Sequence, residues 1–123
     1  MNFQRMNPLT SEVASEAKAM TVSDVNAIAE RASSAFSGWA ELGPNARRGF
    51  LSKAASALEA KADDFVDAMM SEIGATEGWA RFNLMLSASM IREAGALTTQ
   101  ISGEVIPSDK PGCLAMALKE PVG

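Results

Sequence analysis

The chain has 123 residues, a net charge of −4, one cysteine, no histidine and no tyrosine. That length suits one small domain, and charges of mixed sign form neither a basic stripe for nucleic acid nor a long acidic tail. Without imidazole the side chain that most readily moves protons near neutral pH is missing, and one cysteine builds neither a zinc cluster nor an internal disulfide.

Apolar residues make up 47% of the chain, but 22 of them are alanine. Alanine favours helix yet removes little surface from water, so the larger side chains make a thin core for a chain that must stand alone. No run has the length of a membrane helix, and residues 1–8 lack the apolar centre of a signal peptide. Together with the single thiol, this points to a cytoplasmic protein.

Residues 1–20 read as irregular to extended. Asn7-Pro8-Leu9-Thr10-Ser11-Glu12 is turn chemistry, because proline presets one backbone angle and Asn, Thr and Ser side chains bond nearby amides. The flanking segments Phe3–Met6 and Val13–Ala17 can pair as a hairpin, which would be marginal alone. Thr21 and Asp24 then mark a helix start, followed by Val25, Ile28, Ala29, Ala32, Ala35, Phe36 and Trp39 at three-four spacing. This predicts a helix over about 22–38.

Gly43-Pro44 is a stop and a start, with proline preset for the first helical position. The second helix carries Phe50, Leu51, Ala54, Ala55 and Leu58 and is expected to run to about Lys61. Asp63-Asp64 is expected as a joint, after which Phe65, Val66, Met69, Met70 and Ile73 continue the stripe to a glycine stop at Gly74. A long helix over about 77–101 follows, with Phe82, Leu86, Met90, Ala94, Leu97 and Ile101 in one apolar stripe. Gly103 is expected to end it in the left-handed conformation. Residues 104–108 and 113–120, around the Pro111-Gly112 reversal, are expected as two antiparallel strands.

Taken in order, these pieces resemble the N-terminal part of an aldehyde dehydrogenase. The matching elements are Asn7-Pro8-Leu9-Thr10, Ala35-Phe36 with Trp39, Arg47 with Leu51, Glu72-Ile73-Gly74, Gly103-Glu104-Val105-Ile106-Pro107 and Lys119-Glu120-Pro121-Val122-Gly123. Residues 83–94, Thr98-Thr99-Gln100 and 103–108 look most like the branch acting on aromatic aldehydes, the salicylaldehyde and vanillin dehydrogenases. The chain departs from the family at Ala75, where a basic residue is usual after the Glu-x-Gly element.

The resemblance implies an α-rich fragment, four helices plus a terminal strand pair, of the α/β aldehyde dehydrogenase fold, with most of the Rossmann-like sheet missing. Residues 1–103 would be the helical part of the cofactor-binding domain, 104–120 a strand pair of the oligomerisation region, and 121–123 the entry to the cofactor sheet. The family chemistry is attack of a cysteine thiolate on an aldehyde, hydride transfer to NAD or NADP, and hydrolysis of the thioester. The motifs for those steps lie further along in the family, so no catalytic, cofactor-binding or metal residue is assigned here. The chain alone is expected to be inactive, with no cofactor of its own. Its implied partners are the remainder of the aldehyde dehydrogenase chain and further copies in a homodimer or homotetramer, with neither nucleic acid nor membrane. A stand-alone helical interaction module and a non-functional truncated product are the competing readings.

Trp79, Phe82 and Asn83 are the candidate site residues. In the family the start of this helix borders the substrate tunnel, and an indole there can stack on an aromatic aldehyde. The plainer role for Trp79 is packing between helices. Cys113 lies just before the second strand, with no sign of an oxyanion donor, and reads as a small structural residue. Glu72, Asp63-Asp64 and Arg92-Glu93 read as solvated helix faces. Arg47-Arg48 lacks the glycine loop a phosphate site needs.

Overall fold

A computed structural model of the chain describes residues 2–122. Two strands, β1 (Asn2–Met6) and β2 (Val13–Lys18), precede four helices, α1 (Val22–Ala40), α2 (Pro44–Ala60), α3 (Ala62–Ile73) and α4 (Glu77–Leu97). A 3₁₀ turn (Thr98–Gln100) leads to strands β3 (Glu104–Ile106) and β4 (Ala115–Ala117).

The β1–β2 hairpin is antiparallel, with Phe3 opposite Ala17 and a register shift after Arg5. Its reversal is built by Asn7. The Asn7 Oδ1 accepts from the amides of Leu9 (2.8 Å) and Thr10 (3.2 Å), while the Asn7 N–H donates to the Glu12 carbonyl at 2.8 Å. These bonds satisfy groups that a two-stranded ribbon leaves open. Ser11 completes the turn at φ 62°.

Thr21 and Asp24 form the expected capping box. The Thr21 hydroxyl accepts the Asp24 N–H at 3.2 Å, and the Asp24 carboxylate accepts the Thr21 N–H at 2.9 Å. Helix α1 runs two residues past the predicted end, and the Trp39 ring stands 6.0 Å from that of Phe50 on α2. No residue of α1 is buried. The α2–α3 joint is at Lys61 (φ −110°, ψ 26°), two residues before the predicted one. Asp63 and Asp64 instead occupy the first turn of α3, where carboxylates meet the positive end of the helix dipole. Gly74 closes α3 at φ 68°, as its sequence position predicts.

Helix α4 is shorter than predicted and does not end at Gly103. It stops at Leu97, where the Thr98 hydroxyl donates to the Gly95 carbonyl at 2.8 Å. Arg48 of α2 reaches across to the same end. Its Nε donates to the Gly95 carbonyl (3.1 Å), and its Nη2 donates to the Ala96 carbonyl (3.2 Å) and Thr99 Oγ1 (3.3 Å). A guanidinium there satisfies orphan carbonyls and opposes the negative end of the dipole. Gly103 is not left-handed. It matters because a Cβ built on it would press into the Ala117 carbonyl oxygen and lie 3.0 Å from Leu118 Cδ2. β3 and β4 pair antiparallel there, Val105 opposite Met116, and are shorter than the predicted 104–108 and 113–120.

α2 and α4 lie antiparallel, since Gly95 sits beside Arg48 and Leu51 while Arg92 meets Glu59 further down. α3 packs on α4 as well. The buried positions are small: Ala55 on α2, Ala80, Ala88 and Gly95 on α4, with Val66 on α3 and Thr98 beyond α4. Small residues let helix axes approach closely, and that close approach is the core of the chain.

Candidate functional site

At 100° per residue, Ala80, Ala88 and Gly95 fall on one side of α4 and Phe82, Leu86, Met90 and Leu97 nearly opposite. The first side is buried; the second, with Trp79, is exposed. A helix apolar on two sides can pack on both, and one of those sides is open here. The predicted stripe of α4 is therefore this open side, and the small residues carry the packing.

The three sequence-predicted residues stand together at its start. Thr76 caps α4, its hydroxyl accepting the Trp79 N–H at 3.4 Å. The Trp79 and Phe82 rings stack with centroids 5.5 Å apart and planes 29° apart. They are 57% and 44% exposed. Asn83, half-buried, donates from Nδ2 to the Trp79 carbonyl at 2.9 Å. That bond folds the amide back onto the helix's own backbone. Arg81 pins the same turn to α3, donating to Glu77 (2.8 Å) and Asp63 (3.2 Å). The result is a flat aromatic platform on a fixed helix end. It can stack on a planar apolar group, and it contains no nucleophile or proton donor.

Several of the other charged candidates are held in ion pairs. Arg92 holds the Glu59 carboxylate in a two-pronged pair, with one contact at 2.6 Å, and Glu72 pairs with Arg5. Hydrogen bonds hold four carboxyls below their ordinary range. They come from Gln4 and then Asn2 to Glu16, from the Thr21 amide and then its hydroxyl to Asp24, from Arg92 to Glu59, and from Ser15 and then Arg5 to Glu72. A general acid needs the opposite shift. Cys113 is exposed, its N–H donating to the Lys110 carbonyl at 3.2 Å. Among the described residues no group of three or more Cys, Asp or Glu side chains is placed to hold a metal, and no helix is long and apolar enough to cross a membrane.

These depressed carboxyls have a consequence for acid stability. A carboxylate favoured in the folded state contributes stability above its unfolded pKa and loses it as pH falls through the lower, folded value. Thermal stability should therefore drop as pH falls from neutral through the carboxylate range. Glu59→Gln and Glu72→Gln should each flatten that slope slightly, the pairs being exposed. Melting curves across pH check this, and an unchanged slope in the double variant would refute it.

Sequence reasoning missed Arg48 as the partner of α4's C-terminus, Thr76 as its N-cap, and the reach of Arg5 to Glu72. Helix-end chemistry signals Thr76, which stands just before a helical stripe. The other two join residues 47 to 67 positions apart, and no local pattern encodes them.

Comparison with known proteins places these features. A family model described as "Aldehyde dehydrogenase family" matches residues 1–123. A vanillin dehydrogenase of Pseudomonas fluorescens is 49% identical over 121 residues, covering 98% of this chain and 25% of that one. The crystal structure of a salicylaldehyde dehydrogenase from Pseudomonas putida G7, complexed with salicylaldehyde, superposes with a TM-score of 0.95 at 44% identity, over 100% of this chain and 25% of that one. An NAD-dependent benzaldehyde dehydrogenase from Corynebacterium glutamicum gives a TM-score of 0.85 at 27% identity, over 91% and 24%. The chain thus spans about a quarter of the length of the relatives it matches.

Proposed function

We propose, on the premise that this chain belongs to the aldehyde dehydrogenase family, that it is the N-terminal scaffold of an enzyme oxidising an aromatic aldehyde to its carboxylate. The observation that carries this reading is the second apolar side of α4, opposite the buried one and open along its length. Such a helix has a layer to receive, and the cofactor-binding sheet of the parent enzyme is that layer.

In this reading residues 1–103 belong to the cofactor-binding domain, 104–120 to the oligomerisation region of a homodimer or homotetramer, and 121–123 to the entry of the cofactor sheet. NAD or NADP bound by the rest of the chain supplies the hydride acceptor, and a cysteine there supplies the nucleophile. This segment contributes shape. Trp79 and Phe82 border the substrate entrance and stack on the aromatic ring, and Asn83 keeps the turn beneath them in place. The aromatic-aldehyde relatives at 44–49% identity support that substrate class.

The test is Trp79→Ala in the full-length enzyme. Loss of one stacking partner is worth roughly 0.5–1.5 kcal/mol beyond area. KM for benzaldehyde-type substrates should rise about 2- to 10-fold, and KM for a short aliphatic aldehyde should move much less. Equal changes for both would reduce Trp79 to packing.

A further inference from the structure

The α3–α4 elbow is three residues long, Gly74–Thr76, and the platform of Trp79 and Phe82 begins at the next turn. Two features of the distant N-terminal hairpin converge on that elbow. Arg5 of β1 pairs with Glu72 in the last turn of α3, across 67 positions of sequence. The hairpin turn sits on Gly74: a Cβ there would come 3.1 Å from Pro8 Cγ and 3.6 Å from Leu9 Cγ. β2 also packs on α3. The large apolar side chains Phe3, Met6, Leu9 and Val13 are meanwhile exposed. The hairpin is therefore held to α3 through a few fixed points rather than by a core, and two strands alone are marginal.

We propose that the β1–β2 hairpin is a latch on the α3–α4 elbow, with Glu72 a positioning residue for the Trp79–Phe82 platform. Arg5 fixes the hairpin's height on α3, and Pro8 and Leu9 then close over Gly74, whose left-handed turn aims the chain into α4. The donors of the cap bonds at the elbow, Gly74 N–H to the Met70 carbonyl (3.2 Å) and Ala75 N–H to the Met69 carbonyl (3.4 Å), belong to half-buried residues beside that contact. With the hairpin lifted, water reaches these bonds, and the first turn of α4 is left to its Thr76 cap, the Arg81 contacts and the packing of Ala80. The inference deepens the substrate-entrance reading and rests on it for its meaning. Its test uses no substrate, so the two can fail separately.

The experiment is a charge swap in the 123-residue chain with Trp39→Phe, leaving Trp79 as sole fluorophore. Hydrogen exchange over residues 74–80 and acrylamide quenching of Trp79 are read in Arg5→Glu, Glu72→Arg and the double swap. An exposed pair of this kind shifts an opening equilibrium by about two- to five-fold. Each single variant should raise exchange at 74–80 and Trp79 quenching by that factor, and the swap should restore both. Arg5→Gln, a milder change at an exposed side chain, gives the same reading should a reversal fail to fold. Faster exchange confined to residues 2–18, with 74–80 and Trp79 unchanged, would overturn the latch. Failure of the swap to restore protection would overturn the role of Glu72.

Discussion

Ala88→Leu is expected to unfasten α4 from α2 and to destabilise the chain by about 1–3 kcal/mol or more. Ala88 is 0% exposed and lies on the same side of α4 as Ala80 and Gly95. There the helices meet through Ala55 and the backbone of Gly95, against which Leu51 and Arg48 rest. Ala88 has no exposed surface through which three added heavy atoms can reach solvent, so the helix is expected to rotate or move outward. Outward motion also pulls the Gly95 and Ala96 carbonyls off the Arg48 guanidinium, leaving helix-end acceptors without their donor. The matched control is Met90→Gln on the other side, where the side chain is 64% exposed and the change should stay within about 0.5 kcal/mol. Urea titration of the two variants decides between them. Equal midpoints would mean that the small-residue side is not the core.

That contrast explains what the sequence reveals and what it conceals. The capping box at Thr21 and Asp24, the Gly43-Pro44 break, the left-handed Gly74 and the Pro111-Gly112 reversal are local devices, and each appears where its residues predict it. The orientation of α4 is different. Periodicity weights large apolar residues, so it selects Phe82, Leu86, Met90 and Leu97 as the inward stripe. Alanine and glycine carry little weight in such a pattern, yet they permit the closest helix contact, and in this chain they form the core. Phe82, Leu86, Met90, Ala94 and Leu97 do share a side of α4, Ile101 lies beyond its end, and the partner of that side lies outside these 123 residues in the reading proposed above. The end of α4 is concealed for another reason. A glycine six residues past Leu97 resembles a stop signal, but the real stop is made by Thr98 and by an arginine on another helix. Family resemblance alone singles out Trp79, Phe82 and Asn83, whereas the stacking of the two rings and the bond from Asn83 to the Trp79 carbonyl depend on backbone geometry.

The same distinction between conformation and contact leads to the second large effect. Gly103→Ala should abolish the β3–β4 pairing while leaving the helices intact. Gly103 has no need of glycine's left-handed freedom, since only Gly74 and Gly112 take positive φ among the described glycines. What it lacks is a Cβ, and a Cβ would meet the Ala117 carbonyl, the residue paired with Glu104 at the start of the ladder. Backbone oxygen cannot swing aside as a side chain would, so the strands themselves must separate. A ladder of three residues on each side has little reserve against such a shift. Amide protection at 104–106 and 115–117 should fall to that of an open chain, and the helical circular dichroism should be kept. Gly49→Ala is the comparison: nothing lies within 4 Å of the added carbon, and within helix α2 alanine is favoured by about 1 kcal/mol. On the proposal that 104–120 belong to the oligomerisation region, the Gly103 variant of the parent enzyme should also weaken subunit association. Retained protection at both strands would show that the pairing tolerates the extra carbon, and would return Gly103 to the role of an ordinary linker residue.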